Sequence, residues 1–215
     1  AVTKNVDEIV EALQEQGEFK FNLDSLQRAT NGIGRANFMI VFARPDVGKT
    51  AFWVSLVASP NGFAWQEKKV SIFANEEPAI RTQMRLLNAS SGLQRGNILN
   101  GSRDLAKQKW STISPYIENF DCVGKTMDDL DEYCSTNDVD ILIIDQLDKI
   151  NVTGKYNATH EKLREVYTQS RELAKRHNIL VIGMSQASAE AQGRSRVTFS
   201  TMENSKTGKA AEADI

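Results

Sequence analysis

The sequence predicts an α/β fold, with a mainly parallel sheet carrying helices on both faces. Three observations carry this reading. From Phe38 onward, short continuous apolar runs alternate with longer stretches of helical spacing, the pattern of strands and helices wound in turn. The apolar runs lack the in–out alternation of a half-exposed strand, so each is expected to be covered on both faces. Hydrophobic residues make up 40% and charged residues 25% of the 215, which suits a packed core in one large domain, or one domain with a small appendage. No apolar run approaches the roughly 20 residues that cross a bilayer, so no membrane partner is expected.

The elements follow in order. Val6, Ile9, Val10 and Leu13 share one helical face, with Glu8, Glu11, Gln14 and Glu15 opposite and Gly17 as a stop. That apolar stripe needs a partner, either this domain's own body or a neighbouring subunit. Phe19 to Gly34 reads as an irregular lead-in, with Gly32 and Gly34 as turn residues. Strands are predicted over Phe38–Phe42, Val70–Ala74, Phe120–Val123, Ile141–Ile144 and Ile179–Met184. Helices are predicted over Thr50–Ala58, Pro78–Ser90, Leu105–Ile117, Met127–Ser135 and Thr159–His177. Pro78 suits a first helical turn, where its missing N–H does no harm. Thr126 and Asp129 resemble a capping pair. The stretch Ala187 to Ala211 is poor in large apolar residues and reads as a long mobile connection.

The first strand runs into Ala43-Arg44-Pro45-Asp46-Val47-Gly48-Lys49-Thr50, and a helix follows from Ala51. Strand, glycine-containing loop and helix in that order form a phosphate-binding loop. Its backbone N–H groups and the helix N-terminus face the phosphates of a nucleoside triphosphate. Lys49 is placed to reach the β- and γ-phosphates, and the Thr50 hydroxyl to ligate Mg²⁺. The pattern departs from its usual form at Ala43, where a glycine is common. Gly48 is the more demanding position, because a Cβ there would intrude between backbone and phosphate.

Ligand sites of parallel sheets lie at the carboxyl ends of the strands. The second strand ends in Asn75-Glu76-Glu77. One of these glutamates is a candidate general base that activates water; Glu76 is favoured and Glu77 stays open. The fourth ends in Asp145, a candidate for holding Mg²⁺ against the β- and γ-oxygens. The fifth ends in Ser185-Gln186, where the Gln186 amide can register a γ-phosphate. Asp140 and Asp148 read as capping or solvent residues. Trp53, Trp65 and Trp110 read as core or interface residues, and His177 as a helix C-terminal charge.

Charge limits the classes of partner. With 26 basic and 28 acidic residues the net charge is −2, which excludes a protein that coats DNA with its whole surface. Contacts to nucleic acid must then be local, and Arg194, Arg196, Lys206 and Lys209 form one candidate loop. Lys149 and Lys155 form a weaker second. The two cysteines, Cys122 and Cys134, have no neighbours at metal-ligand spacing; buried reduced thiols of a cytosolic protein are expected, and no zinc. Ala1 is not an initiator methionine, which suggests a chain processed or cut from something longer.

The order of motifs resembles the RecA-type motor domain of hexameric replicative DNA helicases, the DnaB-like group with its bacteriophage relatives. The resemblance rests on residues 43–52, 72–77, 141–147, 181–186 and 202–215, and on the lead-in at 19–42. It implies a P-loop NTPase core at 19–215 behind a linker helix at 1–18, with ATP and Mg²⁺ as ligands. It implies Glu76 as catalytic glutamate, Lys49 on phosphate, Thr50 and Asp145 at the metal, and Gln186 as sensor. It further implies a homo-hexamer with ATP between subunits, 5′-to-3′ movement on single-stranded DNA, cytoplasmic replication, and a primase or polymerase as candidate partner. A RecA-like recombinase, or an ATP-dependent loader that never translocates, shares the same core motifs.

Overall fold

The computed structural model describes residues 4–15, 17–154, 156, 158–187 and 213–215. Helix α1 (Val6–Glu15) and helix α2 (Asp24–Thr30) precede strand β1 (Phe38–Ala43) and helix α3 (Lys49–Ala58). Then come β2 (Val70–Ala74), α4 (Ala79–Ser91), α5 (Arg95–Leu99), α6 (Arg103–Ile113) and β3 (Ile117–Asp121). The last elements are α7 (Met127–Thr136), β4 (Ile141–Asp145), α8 (Thr159–His177) and β5 (Leu180–Gln186). Every strand pairing among these is parallel, in the order β1-β5-β4-β2-β3.

The apolar strands are buried on both faces because alternate side chains enter two separate cores. On one face Met39, Ile72, Ile141, Ile143, Leu180 and Ile182 meet Trp53, Leu56 and Val57 of α3 and Leu86 of α4. On the other, Phe38, Phe73, Leu142, Ile144 and Val181 meet Leu130 of α7 and Val166, Tyr167 and Leu173 of α8. No helix among the described residues is long and apolar enough to cross a membrane.

Several boundaries differ from the sequence reading, each for a local reason. The lead-in is partly regular. It holds α2, and Phe19 pairs with Ile33 to seal the first core with Phe19 fully buried. The third strand is Ile117–Asp121 rather than 120–123, and Val123 is 81% exposed. Pro115 is the cause: it lies in a 3₁₀ turn, Ser114–Tyr116, that stops α6 and releases Ile117 to the sheet. Thr126 and Asp129 form a full capping box on α7. Pro78 sits at the N-cap of α4. Both cysteines are buried and unbonded; burial pushes the Cys122 thiol up to about 11 and the Cys134 thiol to about 12.

Asp140 is not a solvent residue. It takes the Arg35 guanidinium at 2.5 Å and the Lys69 N–H at 2.8 Å, while Arg35 also holds Glu18 at 2.9 Å. This cluster ties the lead-in to the amino end of the sheet. His177 contacts Asp131 at 2.8 Å, so α8 closes on α7 through a named partner as well as through its helix end.

At the sheet edge, the Asp214 N–H donates to the Phe38 carbonyl and the Ile40 N–H donates to the Ile215 carbonyl, both at 2.9 Å. Residues 213–215 therefore lie along β1. Register then aligns the strand ends: Ala43 stands beside Gln186, Asp145 beside Met184, and Ala74 beside Asp145. Four adjacent strands thus deliver their carboxyl ends to one rim.

Candidate functional site

The loop after β1 makes its turn with two left-handed residues, Asp46 at φ 59° and Gly48 at φ 101°. The second costs nothing because Gly48 has no Cβ, and it lets α3 begin at once with Lys49. Four N–H groups at a helix start lack intrahelical acceptors, an arrangement suited to an anion. Lys49 is only 6% exposed, with Nζ 3.5 Å from the Arg44 carbonyl. It lies folded along its own loop. Ala43, Arg44, Pro45 and Val47 complete that loop, and Ala51 lies in the first turn of α3.

A cleft of about 300 Å³ opens here. Asp46 and Gly48 to Ala51 line one side, and Glu76, Glu77 and Arg85 the other. The two glutamates differ in their surroundings. Glu77 is held by Arg85, with Nε 2.8 Å from Oε1 and a second N–H 3.4 Å from Oε2. Glu76 is exposed, and its Oε1 lies 3.5 Å from the Gln146 amide.

Asp145 ends β4 at 1% exposure. Its Oδ2 accepts from the Thr50 hydroxyl at 3.1 Å and from the Trp53 indole N–H at 2.7 Å. Its Oδ1 is buried with no hydrogen-bond partner among the described residues. An unpartnered buried carboxylate oxygen beside a helix-start hydroxyl is a hard-oxygen donor set that fits Mg²⁺. Among the described residues no three acidic, His or Cys side chains converge, so the metal fits as one carried largely by substrate phosphates.

Gln186 ends β5. Its N–H donates to Asp148 Oδ2 at 3.0 Å, and the Ser185 hydroxyl donates to the same oxygen at 2.8 Å. Tyr167 donates to Asp148 Oδ1 at 2.7 Å. Burial pushes the Tyr167 phenol well above its usual value and the Asp148 carboxylate adds to this, so the proton stays on tyrosine. Asp148 therefore anchors the end of β5 to α8, contrary to its reading as a capping or solvent residue.

The structure thus gathers Lys49, Thr50, Asp145, Glu76 and Gln186 on one rim. Arg194, Arg196, Lys206 and Lys209 lie outside the described residues, as does Lys155; Lys149 is exposed. Sequence reasoning places Trp53 in the core or an interface and misses its bond to Asp145. One signal was available: it stands three residues after Thr50, on the same face of α3.

Residues 19–214 match the family described as DnaB-like helicase C terminal domain. The chain belongs to that family. Among relatives of this DnaB-like domain, the replicative DNA helicase DnaB of Geobacillus stearothermophilus is 26% identical over 182 residues, 79% of this chain and 39% of that protein. The replicative DNA helicase DnaC of Bacillus subtilis matches to the same extent, 26% over 182 residues, with 79% and 39% covered. The chain thus spans about two fifths of these relatives' length. In fold, a solved structure described as an ATPase domain superposes with a TM-score of 0.77 at 20% identity, covering 99% of this chain and 82% of that one. A DnaB-like replicative helicase, whose structure was solved together with its interactions with primase, gives 0.75 at 20% identity, covering 100% and 56%.

Proposed function

We propose that this DnaB-like domain is the ATP-hydrolysing motor of a replicative helicase that moves 5′-to-3′ on single-stranded DNA and unwinds duplex. One observation carries the hydrolytic part. The phosphate loop, a metal-competent Asp145 and Glu76, a carboxylate that no cation among the described residues engages, line or adjoin one cleft. Lys49 swings from the Arg44 carbonyl to the β- and γ-phosphates. Thr50 and Asp145 would hold Mg²⁺, which would offset negative charge on the nucleotide's phosphates. Glu76 accepts a proton from the attacking water at a carboxylate oxygen. The pairing of Glu77 with Arg85 favours Glu76 for that role. Gln186 contacts the γ-phosphate, and Asp148 fixes the backbone from which it reaches.

Residues 1–18, which hold helix α1, serve as a linker ahead of the motor at 19–215. Val6 and Val10 of α1 are 69% and 45% exposed, which supports packing on a neighbouring subunit of a homo-hexamer. Arg194, Arg196, Lys206 and Lys209 contact the strand in the ring's channel, and a primase is a fitting partner by kinship. The setting is cytoplasmic replication. Strand displacement by full-length protein, with and without Lys49→Ala, tests the reading. ATP-dependent unwinding that Lys49→Ala abolishes is expected. ATP-dependent DNA filaments without displacement point instead to a recombinase.

A further inference from the structure

Two amides lie between the acidic arms of this site. Asn75 stands just past β2, immediately before Glu76. Its N–H donates to the Asp145 carbonyl at 2.7 Å. Its side-chain Oδ1 accepts from the Gln146 N–H at 2.7 Å, and its Nδ2 donates to the Gln146 carbonyl at 2.9 Å. Residue 75 is thus tied on both sides to the peptide units that follow Asp145. Gln146 is itself 2% exposed, and its Nε2 approaches Glu76 Oε1 at 3.5 Å, the limit of hydrogen-bonding reach.

We propose that Asn75 and Gln146 are positioning residues that set Glu76 against Asp145. The inference rests on the hydrolytic reading above. The named β2–β4 register ends with Ala74 beside Asp145, and beyond it the only backbone bond between the two segments among the described residues is the one from the Asn75 N–H. The Asn75 side chain extends the ladder by one rung, because an amide offers a donor and an acceptor together. An aspartate would set a carboxylate against the Gln146 carbonyl, and a leucine would offer neither group. The rung matters for chemistry because a base must stay within hydrogen-bonding reach of its proton. Glu76 is exposed and makes no ion pair among the described residues, so its placement depends on the backbone beneath it and the amide beside it.

The test uses full-length protein with single-stranded DNA, reading Kd for a fluorescent ATP analogue, kcat and melting temperature. Asn75→Leu is expected to lower kcat about tenfold or more, with Kd within about twofold, since a misplacement near 1 Å can cost about 10²-fold. Gln146→Met keeps the backbone bonds and is expected to lower kcat about threefold to tenfold. In a Glu76→Gln background, Asn75→Leu should cause no further loss, because its target is gone. A loss that multiplies in that background, or a fall in Kd affinity matching the fall in kcat, would mean a general structural role and overturn the proposal. Should Asn75→Leu fail to fold, Gln146→Met decides, and normal kcat there overturns it. Normal turnover by Glu76→Gln alone removes the base assignment on which this proposal rests and overturns it, whatever Asn75 does.

Discussion

Replacing Trp53 with phenylalanine tests how Asp145, the carboxylate proposed to face Mg²⁺, is held. The indole N–H donates to Asp145 Oδ2 at 2.7 Å, and both residues are essentially fully buried. Phenylalanine keeps most of the packing and removes only the donor. A hydrogen bond to a charged group contributes about 1.5–3 kcal/mol. The smaller ring adds about 1 kcal/mol for lost core volume. The sum is about 3 kcal/mol, or roughly 6–12 °C in melting temperature for a domain of this size. Trp65 is the internal control, because its indole donates to a neutral acceptor, the Ala58 carbonyl, at 2.9 Å. Trp65→Phe should cost about 1.5 kcal/mol, since a neutral bond contributes about 0.5–1.5 kcal/mol and its site is only partly buried. Urea denaturation of both variants gives the difference. A second readout is the Mg²⁺ concentration for half-maximal ATPase. It should rise about tenfold in Trp53→Phe, as when an outer partner of a metal ligand is lost, and stay unchanged in Trp65→Phe. Equal destabilisation by the two variants, with no change in Mg²⁺ requirement, would refute the idea that Trp53 orients Asp145.

Other outcomes follow from the same geometry. Glu76→Gln should bind nucleotide and lose about 10²-fold or more in turnover; if Glu77→Gln shows that pattern instead, the base is the residue paired with Arg85. Asp148→Asn should lower urea stability by about 2–3 kcal/mol, because one amide oxygen cannot accept from Tyr167, Ser185 and Gln186 together. Acid stability has a defined direction. Burial pushes the Asp140 carboxyl up, but the Lys69 N–H and the Arg35 guanidinium pull it further down, leaving it below the usual carboxylate value. Glu18 is likewise opposed by burial and lowered overall by Lys68 and Arg35. These groups stabilise the fold above about pH 4, the unfolded carboxylate range, and that contribution is lost as pH falls below it. Arg35→Met should flatten the loss in a melting-temperature series from about pH 6 to about pH 3. Cys122 and Cys134 should resist iodoacetamide in the native protein at neutral pH and label only on unfolding, since buried thiols give little thiolate.

The sequence by itself determined the five strands and most of the helices between them, the glycine-containing turn before Lys49, and the acidic or amide residues at the ends of β4 and β5 and just past β2. These are local signals: a run of apolar residues, a glycine before Lys49-Thr50, a carboxylate after Ile141–Ile144. The shift of the third strand by a few residues was also local, set by Pro115. Only the tertiary structure decided which of those residues meet. Thr50 and Asp145 lie 95 residues apart and touch although β5 lies between β1 and β4, because α3 packs over the face that carries Ile141 and Ile143 of β4. Glu76 and Glu77 are neighbours in sequence, yet only Glu77 is engaged by Arg85, from one face of α4. Asp148 and Asp140 looked like solvent residues because nothing near them in sequence needs a carboxylate. Their partners, Ser185 and Tyr167 for one and Arg35 and Lys69 for the other, come from segments distant in sequence. Periodicity shows which face of an element is buried, but the hydrogen-bond partner on that face is set by sheet order and register, which no short window of sequence contains.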